Sequence, residues 1–454
     1  MLNQGHSRDK KLSQKTNRNL DSFWMPFSSM RDFRQAPRML VGAKGHHYTD
    51  EDGRTLYDSF SGLWTSGVGH CHPKIVEAVQ ERVASFDYGM NFQVSHPQAF
   101  ELSERLVDMA PDGFSTAFFT NSGSEAADTA LKIALAYHRA KGHGERTRFV
   151  GRARGYHGTN FGGMSVGGIV PNRKVFSAAL IPGVDHLPHT LDLQKNAFSK
   201  GLPEHGAELA DELTRICAIH DGGNIAAVMV EPVPGSTGVL PPPVGYLKRL
   251  REICDQHGIL LIFDEVITAF GRIGDAFGSY RFDVTPDIIT TAKGLTNGVI
   301  PMGAVLVKKE IHDALMCGPD HAVELFHGYT YSGHPIATAA AMATLDVYEE
   351  EGSFQQSRSL EPTFEEAIHS LADHPSVIDV RNFGLMGAVE LAPFDGQLGL
   401  HALQVHKHCF WKERLVIRNG GDILQFSPFL NSDPDDIYST FESVRRSLDA
   451  VRAS

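Results

Sequence analysis

The chain has no apolar run approaching the roughly eighteen residues that cross a bilayer, and its N-terminus lacks the apolar core of a secretory signal. A soluble, cytoplasmic protein is expected. Basic excess is missing too: 42 Lys and Arg stand against 54 Asp and Glu, a net charge of -12 with no extended basic stripe. This excludes nucleic acid as the main partner. The five cysteines, Cys71, Cys217, Cys254, Cys317 and Cys409, are odd in number and share no short pairing interval, which points to a reducing compartment rather than a disulfide framework. His70-Cys71-His72 has no companions at the spacing a tetrahedral zinc needs, so no metal site is expected. A Walker A sequence, a strand-linked G-x-G-x-x-G, internal repeats and low-complexity tracts are all absent from the sequence.

What is present is an ordinary globular composition of 454 residues, 42% hydrophobic, enough for a large core divided into two or three domains. Residues 1–20 are polar, with Arg8, Lys10, Lys11, Lys15 and Arg18 set against Asp9, and read as a disordered tail. Gly45 to Arg54 contains Asp52-Gly53, which supplies the positive backbone angles of a tight hairpin turn. A small antiparallel lobe over residues 21–72 is expected. From Pro73 to residue 332, apolar runs such as Thr116–Thr120, Ala226–Val230 and Gly303–Val307 alternate with helical stretches, the signature of a mainly parallel sheet covered on both faces. Apolar residues at Ala127, Ala130, Leu131, Ala134 and Leu135 give Ser124–Lys141 a helical period. The Ala-rich segment Ile336–Glu349 leads into residues 333–454, where Val377–Arg381 and Gly387–Leu391 resume strand character.

Two apolar runs carry the chemistry. Leu260-Leu-Ile-Phe-Asp264 ends in a carboxylate, and twenty-nine positions after it Lys293 follows Ile289-Thr-Thr-Ala292. A buried carboxylate and a buried ammonium are costly unless paired or put to use. Such residues either cap strands at a surface loop or serve one chemistry directly, in which a lysine bonds to pyridoxal phosphate and an aspartate keeps the pyridine nitrogen protonated. Glu231 follows the run ending at Val230, at the same kind of strand end, where open α/β sheets bind ligands. Ser122-Gly123-Ser124, between a strand and a helix, offers free N–H groups to an anion, or is simply an N-cap. Gly155-Tyr156-His157-Gly158 presents a ring on which a flat cofactor could stack, or one that only packs. Gly163-Met-Ser165-Val-Gly167 matches a serine-hydrolase elbow in letters, but it lacks the preceding strand and following helix that motif requires.

With these motifs, joined by Ala292-Lys293-Gly-Leu-Thr-Asn-Gly and His327-Gly-Tyr-Thr330-Tyr, the chain resembles the class III aminotransferases, pyridoxal-phosphate enzymes of fold type I, and within them the ω-transaminases. The likeness runs from Phe23-Trp24 almost to the C-terminus. It implies an α/β fold, with a large domain built on a mainly parallel seven-stranded sheet flanked by helices and a smaller α+β domain drawn from both termini. It implies that Lys293 forms the Schiff base and shuttles the proton, that Asp264 pairs with the pyridine nitrogen, and that Gly123 and Ser124 hold the phosphate. Tyr156 and Val266 would cover the two ring faces, Glu231 would support the phenolic oxygen, and Thr330 would reach the phosphate in a neighbouring subunit of a homodimer, possibly a tetramer. Trp64 and Phe92 are implied as pocket walls, Arg418 as a carboxylate clamp and Gln425 as a second polar contact.

The implied reaction moves an amino group from β-alanine or a similar primary amine to pyruvate by a ping-pong cycle. The alternatives are another pyridoxal enzyme of the same fold, such as a taurine or diamine transaminase or an aminomutase, a serine hydrolase at Ser165, or a binding protein that has kept the fold. Ala269, His334 and Pro428-Phe429-Leu430 depart from the family pattern, and bear on substrate range rather than reaction type.

Overall fold

Strands buried on both faces need apolar residues at every position, and the central runs of this chain meet that demand. The computed structural model describes residues 18–394 and 396–453. The expected tail over residues 1–20 therefore lies, up to residue 17, outside the described residues. Among the described residues the strands are β1 (Leu40–Lys44), β2 (His47–Asp50), β3 (Thr55–Asp58), β4 (Phe114–Thr120), β5 (Arg148–Arg152), β6 (Val184–Leu187), β7 (Ile225–Val230), β8 (Leu260–Asp264), β9 (Ile288–Thr291), β10 (Gly303–Lys308), β11 (Val377–Phe383), β12 (Met386–Leu391), β13 (Leu415–Val416), β14 (Arg418–Gly420) and β15 (Ile423–Phe426).

The central sheet has seven strands in the order β4-β10-β9-β8-β7-β5-β6. Only β10 runs against its neighbours, pairing antiparallel with β4 and β9, while β9, β8, β7, β5 and β6 are mutually parallel. Alternation along each strand feeds two cores. Val228, Val230, Leu261 and Phe263 pack with Tyr246, Leu250 and Ile253 of the helix Tyr246–His257. Ala227, Met229, Leu260 and Ile262 pack on the opposite face with Ala126, Ala130, Ile133 and Ala134 of the helix Gly123–Ala140. The alanines let that helix lie close to the sheet. Fully burying a side chain such as Phe263 contributes about 1.5–3 kcal/mol.

Two four-stranded sheets flank this layer. In one, β1, β2 and β3 form the expected antiparallel meander, and β13 from far along the chain adds in parallel beside β3. The other is antiparallel, in the order β11-β12-β15-β14. Among the described residues no helix is long and apolar enough to cross a membrane.

Candidate active site

Three strand ends meet at one edge of the central sheet. Asp264 is the last residue of β8, Glu231 follows β7 directly, and Lys293 comes two residues beyond β9. The lysine thus does not end its strand as the pattern of Ile289 to Lys293 suggested. The strand stops at Thr291, and Lys293 opens a 3-10 turn, Lys293–Thr296, with φ of +44°. That left-handed geometry is uncommon for a residue with a side chain, and it persists where the surroundings over-determine it.

All three line a single pocket with Gly123, Ser124, Tyr156, His157, Gly158 and Val266. Of the two roles the small residues of this turn suggest, the N-cap is observed. Ser122 caps the helix Gly123–Ala140 by accepting the Glu125 N–H at 3.2 Å, and Ser124 Oγ accepts the Thr159 N–H at 3.2 Å. The bare glycines leave no room for side chains. A Cβ on Gly158, where φ is +91°, would lie 2.3 Å from Ser124 Oγ, and one on Gly123 would lie 2.9 Å from the Val266 methyls. A helix N-terminus lined by glycine suits a phosphate, since the first N–H groups and the helix dipole both face it.

The polar groups are held before any ligand arrives. Asp264 Oδ2 lies 2.7 Å from Nδ1 of His157, and Oδ1 accepts the Thr290 hydroxyl at 3.0 Å and the Val266 N–H at 3.2 Å. In the sequence His157 lies within Gly155-Tyr-His-Gly158, a motif that signals a presented ring and gives no sign of this hydrogen bond. Glu231 Oε1 accepts the Tyr156 N–H at 2.8 Å and Oε2 accepts the Gly235 N–H at 3.2 Å. Burial raises the Glu231 carboxyl above its usual range, and the Asp264 carboxylate adds to the rise.

Among the described residues the Lys293 amine has no hydrogen-bond or ion-pair partner; its Nζ lies 5.7 Å from the centroid of the Trp64 ring. Its residue surface is only partly buried, but the ammonium itself sits deep enough for desolvation to dominate. Burial, against the raising effect of Asp264 and Glu231, lowers its pKa to about 8. A buried amine that gives up its proton near neutral pH is a nucleophile and a base.

Two of the residues implied for substrate contact stand on the second small sheet. Arg418 on β14 lies directly opposite Gln425 on β15. The Arg418 guanidinium stands 5.1 Å from the Trp64 ring and 5.8 Å from the Phe60 ring. Gln425 is wholly buried, with Nε2 donating to the Ser236 carbonyl at 3.1 Å and Oε1 without a partner. Trp64 is buried, with 3% of its surface exposed. Phe92 and Thr330 are not brought to the pocket by this chain. Both are exposed, and the Thr330 carbonyl accepts the Tyr88 hydroxyl at 3.1 Å.

Ser165 lies inside the helix Phe161–Val166. Its buried hydroxyl donates to the Phe161 carbonyl at 2.6 Å and accepts the Ile181 N–H at 2.9 Å, so it occupies no nucleophile elbow. Among the described residues no group of three or more His, Cys, Asp or Glu is placed to hold a metal.

A mainly parallel sheet that brings a lysine, an aspartate and a glycine-lined helix N-terminus to one pocket fits the pyridoxal-phosphate enzymes of fold type I. Residues 29–446 match the class-III aminotransferase family, and the chain belongs to it. It is 55% identical to the omega-aminotransferase of Caulobacter vibrioides, over 95% of this chain and 98% of that protein. It is 50% identical to the beta-alanine–pyruvate aminotransferase of Pseudomonas aeruginosa, over 95% of this chain and 96% of that protein. Among solved structures, it is similar to an amine transaminase from an uncultivated Pseudomonas species in the PLP-bound form, with a TM-score of 0.87 and 33% identity, covering 97% of this chain and 100% of that one. The omega transaminase of Pseudomonas jessenii in complex with PMP gives a TM-score of 0.88 at 30% identity, over 96% of this chain and 97% of that one.

Proposed function

We propose that the chain is a pyridoxal-phosphate-dependent ω-amine:pyruvate transaminase, which takes the amino group of β-alanine or a similar primary amine and passes it to pyruvate to give alanine. The observation that carries this reading is the meeting of Lys293, Asp264 and the Gly123–Ser124 turn in one pocket. The names of the relatives in Caulobacter and Pseudomonas support the choice of substrates.

When bound, pyridoxal phosphate supplies a carbonyl that takes up and returns the amino group, and a ring that accepts the electron pair left when the substrate C–H proton departs. The protein's part is positioning and proton transfer. Gly123 and Ser124 hold the phosphate at the helix N-terminus. Tyr156 and Val266 close over the ring faces, Glu231 orders the hydrogen bonds near the phenolic oxygen, and Asp264, steadied by His157, Thr290 and the Val266 N–H, serves the ring nitrogen. The amine of Lys293 would take the proton from the substrate carbon and deliver it to the carbon that had been the cofactor's carbonyl, a task suited to a base titrating near 8. Arg418 grips the substrate carboxylate with its planar fork, and Trp64 and Gln425 complete the substrate side. Arg418 withdraws when the donor has no carboxylate.

Thr330, exposed on this chain, reaches the phosphate in a neighbouring subunit, so the working form is a homodimer with shared active sites. The cofactor domain spans residues 73–332, and the smaller domain combines 21–72 with 333–454.

A panel of amine donors against pyruvate tests the reading. Alanine should form in equal amounts to the amine consumed, and borohydride reduction of the loaded enzyme should fix the cofactor on Lys293. A panel in which no donor yields alanine, or a label on any other residue, overturns it.

A further inference from the structure

Trp64 stands over the Lys293 amine and the Arg418 guanidinium, yet the turn that carries it is improbable. Its φ angles are +39° at Ser61, +70° at Gly62 and +59° at Trp64. Bulky L-residues rarely adopt such angles, and where they do the surrounding structure enforces them. The enforcement traces to Asp58, the last residue of β3, which has no exposed surface. Its Oδ1 accepts the Phe60 N–H at 2.9 Å and its Oδ2 accepts the Gly62 N–H at 2.6 Å. From the far end of the loop, Nε2 of His70 meets the same Oδ2 at 2.8 Å. One buried carboxylate therefore ties the beginning of the Trp64 loop to its end.

His70 is itself fixed from three sides. Its backbone exchanges hydrogen bonds with Gly45, at 2.7 Å and 3.0 Å. Its ring lies 4.5 Å from that of Tyr48 and 5.7 Å from that of Phe429, which meets it edge-on. Phe429, one of the residues at which this chain departs from the family pattern, also stacks on His46 at 4.2 Å. The loop is joined to the lysine's own turn as well: Asn297 accepts the Val68 N–H at 3.1 Å and donates to the Gly69 carbonyl at 2.8 Å. The His70-Cys71-His72 cluster, which has no metal-ligand spacing, thus has one member engaged in the site's architecture.

We propose that Asp58 and His70 form a positioning pair that fixes the Trp64 wall, and through it determines which amine donors fit beside Lys293 and Arg418. The proposal rests on Trp64 being a wall of the substrate pocket. Neither member is a catalytic residue, since both act only through the tryptophan.

The test compares kcat/KM for β-alanine with that for a bulky arylalkylamine, with pyruvate as acceptor, in holoenzyme variants. His70→Leu should change the ratio about tenfold, below the roughly hundredfold that a 1 Å misplacement costs. His70→Gln, which keeps an N–H for Asp58, should restore most of the ratio. In a Trp64→Ala background, His70→Leu should change it no further, because the two substitutions act through one element. A second measurement is independent of turnover. The sequence has three tryptophans, so Trp24→Phe with Trp411→Phe leaves Trp64 as the sole emitter, and His70→Leu should expose it to acrylamide quenching. Should His70→Leu fail to accumulate as folded protein, Asp58→Asn takes its place in both measurements. An effect of equal size in the Trp64→Ala background, or unchanged quenching, overturns the proposal. If Trp64→Ala alone leaves the ratio unchanged, the pocket-wall reading falls and the selectivity claim with it, while the quenching result still shows whether the pair holds the tryptophan.

Discussion

Nδ1 of His157 lies 2.7 Å from Oδ2 of Asp264, and the two residues expose only 2% and 5% of their surface. The carboxylate accepts, so Nδ1 carries the proton. With Oδ1 occupied by Thr290 and the Val266 N–H, both oxygens of Asp264 are oriented by protein groups alone.

Replacing His157 by Leu should therefore leave a buried carboxylate oxygen without its donor, a loss of about 1–3 kcal/mol. If Asp264 serves the cofactor ring, part of that loss appears as cofactor affinity. Equilibrium dialysis of pyridoxal phosphate should show retention weakened by roughly tenfold, each tenfold corresponding to about 1.4 kcal/mol. Unchanged retention with a lowered Tm would assign His157 to stability alone.

Lys293→Ala should abolish turnover while leaving far-UV circular dichroism unchanged, since among the described residues the amine has no hydrogen-bond or ion-pair partner. Lys293→Met should stabilise the apoenzyme at pH 7. The sign follows from linkage: the folded protein releases the Lys293 proton near pH 8 while the unfolded chain holds it to about 10.5, so native stability rises with pH across that interval. The gap between Lys293→Met and the native chain should be of the order of 3 kcal/mol below pH 8, at about 1.4 kcal/mol per pKa unit, and should close as the pH approaches 10.5. Denaturant midpoints of the two apoproteins at pH 7 and pH 10 measure it.

The same titration governs loading. Only the neutral amine attacks a carbonyl, so the rate at which apoenzyme captures pyridoxal phosphate should climb as pH rises through about 8 and then level off. Stopped-flow absorbance across that range reads it directly. A rate independent of pH between 6 and 9 would contradict a lysine titrating there.

Arg418→Met removes the fork while keeping much of its apolar length. The KM for pyruvate should rise by roughly tenfold to hundredfold, from the roughly 1.5–3 kcal/mol of a hydrogen bond to a charged group. Amine donors that carry no carboxylate should keep their KM. Equal losses for both substrate types would show that Arg418 instead supports the pocket through its stacking on Trp64 and Phe60.

The segments whose chemistry is local were legible along the chain. Leu260–Asp264 reads as a strand because burial on both sides demands an unbroken apolar run. The helix after Ser122 reads from its cap and its alanine spacing, since both obey the helical period. Asp52-Gly53 likewise marks its turn by the backbone angles it permits, with Gly53 at φ +74°. The placement of Glu231 and Asp264 follows from the same pattern, because a strand's end is visible where its apolar run stops.

What lay beyond reach depends on groups brought together from far apart. His157 finds Asp264 across 107 positions, and Asp58 meets a histidine on the other side of a strained turn. Arg418 faces Gln425 only because a short hairpin sets that register, and the 3-10 turn that holds Lys293 appears only once β9 stops two residues before it. Periodicity and propensity act over a few residues, so they fix element type and strand ends. Which carboxylate meets which histidine is settled by strand order and packing, and those energies exist only when the whole chain is assembled.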